Sequence, residues 1–132
     1  MNGYLERVTE TEWAFDDPWP TLDDALEAAE IVADRARKLF GDELVEVLLY
    51  GSRARGDHCP ESDLDILLVT KSEGEERPNR LQEQLDDSIF YEMTVQCFIW
   101  SLVSIRTASV NQVRNWDTTF YRNVRAEAIG VP

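Results

Sequence analysis

Gly51 and Ser52 close an apolar run that starts at Leu44, and after ten intervening residues Asp63 and Asp65 open a second one that ends near Thr70. A turn that brings backbone amides against a ligand tolerates glycine best, because no side chain blocks the approach. Ser52 adds a hydroxyl beside those amides. The two aspartates stand two apart, so strand alternation turns both carboxylates to one face. Paired carboxylates that offer only oxygen suit Mg²⁺, which keeps several waters and completes its shell from substrate phosphates. Turn and carboxylates therefore ask for the same ligand, a nucleoside triphosphate with its metal.

The neighbours of these motifs are weaker candidates. Arg53 directly follows Ser52, and its guanidinium could fork onto phosphate oxygens; the competing reading is a surface salt bridge to Asp57 or Glu61. Arg55 is left open between the same two roles. His58 is the only histidine and has no identifiable orienting partner, so it reads as an exposed loop residue. Cys59 and Cys97 belong to no Cys-x-x-Cys or Cys/His cluster and read as unpaired thiols.

The elements that must position the motifs follow from periodicity. Residues 1–20 have no clean period and include Trp13-Ala-Phe-Asp-Asp-Pro-Trp-Pro20, an extended segment strapped onto the domain or a partner. Thr21 with Asp24 is an N-cap arrangement, and Leu22, Leu26, Ala29, Ala33, Ala36 and Phe40 recur at helical spacing until Gly41. Strands are expected at 44–50, 63–70 and 92–100, with a helical turn at 53–55 and a helix at 79–88 that turns Leu81 and Leu85 inward. Short helices are expected near 102–106 and 118–128. Residues 21–132 form one domain, an α/β (α+β) unit with a small mixed sheet flanked by helices.

Composition narrows the class. A chain of 132 residues, 43% of them hydrophobic, is large enough to bury a core and too short for an elaborate second domain. No stretch approaches a membrane span, and the N-terminus lacks a basic region followed by an apolar one, so a cytoplasmic protein is expected. The formal charge of −13 repels phosphate backbones and disfavours a general nucleic-acid binder. The charge is uneven. Residues 1–34 hold ten acids against Arg7 alone, whereas residues 105–132 hold four arginines against Asp117 and Glu127. Such asymmetry fits an acidic face offered to a basic partner, and equally a solvated helix face.

At Gly51-Ser52, ten residues, then Asp63-Leu-Asp65, the chain resembles the minimal nucleotidyltransferases of the DNA polymerase beta-like superfamily. The resemblance implies a nucleotidyltransferase fold, with Gly51 and Ser52 on the triphosphate and Asp63 and Asp65 as catalytic ligands of Mg²⁺. The superfamily normally adds a third carboxylate on a later strand. The best alignment puts Gln96 at that place; Glu92, on the same face of the expected strand, is its only acidic substitute. The reaction implied is transfer of a nucleoside monophosphate, AMP from ATP, to a hydroxyl. Similarity to the antitoxin members implies that the acceptor belongs to a HEPN-type toxin. A small-molecule (aminoglycoside-like) transferase and a non-catalytic nucleotide- or partner-binding module are the alternatives.

Overall fold

The computed structural model describes residues 17–71, 76–89 and 103–132. Helix α1 (Leu22–Phe40) starts in a complete capping box, in which Thr21 Oγ1 accepts from Asp24 N–H and Asp24 Oδ2 accepts from Thr21 N–H. It stops at Gly41, whose φ of 55° suits a residue without a β-carbon. A 3₁₀ turn, Gly41–Glu43, leads into strand β1 (Leu44–Tyr50). The four-residue helix α2 (Ser52–Arg55) and a loop then lead to β2 (Leu64–Thr70). Helix α3 (Glu76–Ile89), β3 (Val103–Ser109), α4 (Val110–Asn115), α5 (Thr119–Glu127) and the two-residue β4 (Ile129–Gly130) complete the described chain.

The strands form one mixed sheet in the order β3-β2-β1-β4. β1 runs antiparallel to β2 and to β4, and β3 runs parallel to β2. Both sheet faces are covered. On one face Val47, Leu49, Leu64, Ile66, Leu68 and Ile105 pack with α1 and with Leu85 and Ile89 of α3. The alanines at 25, 28, 29, 33 and 36 of α1 are buried there, and their small side chains let the helix lie close to the sheet. On the other face Leu48, Leu67, Val69 and Ala108 pack with Val113 and Val124 of α4 and α5. The central strands are therefore apolar on both faces, which is why β2 reads as a continuous hydrophobic run once past Asp65.

The expected helix at 102–106 is a strand. Val103, Ile105 and Thr107 alternate with Ser104, Arg106 and Ala108, a period of two that parallel pairing with β2 satisfies. Hydrogen bonding of the Gln82 amide to the Ile105 carbonyl (2.7 Å) ties α3 to this strand. The expected strand at 92–100, with Glu92, Gln96, Cys97 and Trp100, lies outside the described residues. So do residues 1–16 of the expected extended segment; within its remainder, Trp19 is buried in the core against α1.

Candidate active site

β1 ends at Tyr50, whose Cα partner across the ladder is Asp65. The chain then turns at Gly51 with φ of 78° and starts α2, with the Ala54 and Arg55 amides donating to the Gly51 carbonyl. A β-carbon built on Gly51 would collide with the Asp65 carboxylate. Glycine is thus required twice here, by the backbone angle and by the close approach. The turn and the second aspartate touch, although fourteen positions separate them in the chain.

Asp65 is half-buried and Asp63, just before β2, is exposed. Burial, followed by the charge of Asp63, pushes the Asp65 carboxyl up to about 6, against the opposing pull of Arg106, Arg55 and Arg53. Tyr50 beside it is pushed up to about 12, first by burial and then by Asp65. A carboxylate penalised by burial and by a second acid is relieved by a cation, and the two oxygen donors suit Mg²⁺. Among the described residues no group of three metal-grade side chains occurs.

Arg53 does not reach this site. Its side chain is 1% exposed and points away from the turn, into the loop that joins α2 to β2. There Nε donates to the Ser62 carbonyl (3.0 Å) and Nη1 to the Trp19 carbonyl (2.7 Å), with Asp17 as its ion-pair partner at 2.9 Å. The guanidinium also lies 5.1 Å from the Trp19 ring. The phosphate contact expected from its place after Ser52 is thereby corrected, since the donors are used to fasten the loop to the N-terminal segment. His58 joins the same knot, with Nε2 3.3 Å from Asp17 Oδ2, and is partly buried rather than an exposed loop residue. Arg55, not Arg53, pairs with Asp57 (3.2 Å), and it also reaches Glu127 at the end of α5 (3.0 Å).

Among the described residues, the strand beside β2 is β3, and it brings residues of 103–109 alongside the aspartates. Ser104 is the Cα partner of Asp65, and Arg106 that of Leu67. Residues paired across a parallel ladder share a sheet face, which puts Ser104 and Arg106 on the face of Asp65. Neither is a carboxylate. The Arg106 guanidinium lies 5.2 Å from the Phe120 ring, and Phe120 stands edge-on to Tyr50 at 5.5 Å. Tyr121 and Trp116 continue this aromatic row at 4.9 and 5.9 Å. Sequence reasoning missed Arg106 and Tyr50. The alternation in Val-Ser-Ile-Arg-Thr-Ala was the available signal for Arg106.

Residues 29–114 match the family described as Nucleotidyltransferase domain. The chain belongs to this family, and its mixed α/β architecture is the one on which the Gly51 turn and the Asp63–Asp65 pair sit. It is 28% identical over 96 residues to "Putative protein adenylyltransferase MJ0141" of Methanocaldococcus jannaschii, a match covering 69% of this chain and 96% of that protein. A second protein of that organism, "Putative protein adenylyltransferase MJ1305", is 37% identical over 46 residues, covering 35% of this chain and 31% of that one. A crystal structure of a toxin-antitoxin with AMP-PNP shares the fold at a TM-score of 0.50 and 14% identity, over 78% of this chain and 72% of that one. No described helix is long and apolar enough to cross a membrane.

Proposed function

We propose that this nucleotidyltransferase moves AMP from ATP, with Mg²⁺, onto a hydroxyl of a partner protein. The observation that carries this reading is the approach of Gly51 to Asp65, which joins the phosphate turn and the carboxylate pair into a single site. Asp63 and Asp65 would hold the metal, and the Gly51-Ser52 turn the triphosphate. Bound Mg²⁺ would supply charge neutralisation on the phosphates and on the attacking and leaving oxygens. In the transfer itself the acceptor oxygen bonds to the α-phosphorus, the bond to pyrophosphate breaks with pyrophosphate taking the electron pair, and the hydroxyl proton passes to solvent water. The chain's task is to keep Asp65 deprotonated and to hold the phosphates in line for attack.

The similarity to proteins named as protein adenylyltransferases supports a protein acceptor, and the toxin-antitoxin sharing the fold supports an adenine nucleotide and a toxin partner. We assign the acceptor to a tyrosine of a HEPN-type toxin, which makes this chain its antitoxin. Gln96 remains the proposed third-ligand position. The second reading, a nucleotide- or partner-binding module without catalysis, is favoured by one observation: β3 brings no carboxylate to the aspartates. The test is transfer of label from ATP carrying a radioactive α-phosphate onto a co-expressed HEPN-type protein. Label on the partner's tyrosine is the expected result. ATP bound without any transfer would support the module instead.

A further inference from the structure

We infer that Arg106 is a phosphate-binding residue of this site, a cation placed on the neighbouring strand to meet the nucleotide's triphosphate. The inference rests on the nucleotide reading above and names a residue which that reading does not use.

Two observations carry it. The first is position. β3 pairs in parallel with β2 in unbroken register from Leu64↔Val103 to Thr70↔Ser109, so Arg106 is fixed on the Asp65 face, one same-face step beyond Ser104. A long side chain spans such a diagonal across neighbouring strands. The second is exposure. Arg106 is exposed, whereas Arg53 is sealed in the loop. Arg106 makes no ion pair or hydrogen bond among the described residues; its guanidinium is held over the Phe120 ring, 5.2 Å away. Stacking on a ring restrains the planar group while its N–H donors stay open at the edge, the state in which arginine recognises phosphate oxygens.

The consequence concerns charge balance. A third carboxylate on this strand would add a negative charge that metal must offset. Arg106 supplies a positive one, so the site needs less metal to accept a triphosphate. Guanidinium forks onto phosphate are charge-assisted hydrogen bonds, and removing one typically weakens binding by about 10- to 100-fold.

Calorimetric titration with ATP, and separately with adenosine, in Mg²⁺ on the parent, Arg106→Gln and Arg106→Lys decides the matter. The expected result is ATP binding weakened by about 10-fold or more in Arg106→Gln, partly restored in Arg106→Lys, with adenosine binding unchanged in all three. In the parent, the Arg106 Nε–H resonance should shift on adding ATP and stay in place on adding adenosine, a readout that survives even if a variant fails to fold. ATP binding by Arg106→Gln equal to the parent's, or equal losses for ATP and adenosine, overturns the inference and leaves the nucleotide reading standing. A parent that binds no ATP overturns both.

Discussion

Arg53 and Arg106 are two arginines with opposite fates. Arg53 follows the phosphate turn directly in sequence, yet it is buried against Asp17, Trp19 and the carbonyls of the loop before β2. Arg106 lies more than forty positions from Asp65, yet strand pairing sets it on the same sheet face. Adjacency along the chain thus says little about adjacency at a site. A residue entering a helical turn rotates away from its predecessor by about 100°, whereas a residue on a neighbouring strand keeps its face. Arg53 builds the loop that delivers Asp63, and Arg106 faces what the aspartates bind.

The largest effect that could break this contrast is on stability. Arg53→Gln removes a buried charge and leaves Asp17 and several carbonyls without their donor, so a loss of about 3–5 kcal/mol is expected. Chemical denaturation of parent and variant measures it. Arg106→Gln should cost less than about 1 kcal/mol in the same assay, because an exposed residue on an aromatic ring contributes little to folding. Equal losses would erase the distinction between the two arginines.

Next in size is Asp65→Asn, which keeps the shape and removes the charge. Transfer should fall by at least about 10²-fold, the usual scale for one electrostatic stabiliser in a preorganised site. The fold should survive. An unchanged rate of nucleotide transfer in this variant would remove Asp65 from the catalytic ligands.

Gly51→Ala tests the contact that joins turn to carboxylate. The added methyl meets Asp65, and the φ of 78° disfavours any side chain, so about 1–3 kcal/mol of stability should be lost. Gly56→Ala is the comparison, since its φ of 91° is also positive, though with ψ of 6° it lies in the left-handed region, and a β-carbon there meets open space. The excess loss of nucleotide affinity in Gly51→Ala over Gly56→Ala, read by titration, reports the turn's glycine-only conformation together with its Asp65 contact.

The smallest effect is a pH dependence. Asp65 holds its proton more tightly in the folded protein, at about 6, than a carboxyl does in an unfolded chain. Its contribution to stability without metal is therefore fully present below about pH 4 and is lost as pH rises through about 6. For a half-buried group the change is on the order of 1 kcal/mol, and Asp65→Asn should abolish it. Affinity for metal and nucleotide should run the other way, rising through pH 6 as the ligand loses its proton. Unfolding and binding measured across pH 4–8 would reveal both slopes.

Much of the frame was legible because local rules agreed with the fold. Thr21 and Asp24 cap α1, alanines and leucines at helical spacing bury its inner face, and Gly41 stops it, all within one stretch of chain. β1 and β2 stood out as apolar runs, and so did the turn at Gly51. β3 escaped because its outward residues are Ser104 and Arg106 and its apolar content is thin beside that of residues 92–100. Arg53 escaped for another reason. Its partners Asp17 and Trp19 are contributed by a segment 34 or more positions away, and no periodicity announces a contact of that kind.

If the Gly51 turn and the Asp63–Asp65 pair form one triphosphate site, nucleotide binding depends on metal. Calorimetric titration of the parent with ATP, in Mg²⁺ and again in excess chelator, tests it most directly, because triphosphate and carboxylates repel until a cation intervenes. Binding should be tight with Mg²⁺ and at least about 10-fold weaker without it, the Gly51-Ser52 turn and Arg106 sustaining the remainder. Equal affinity under the two conditions would contradict the account.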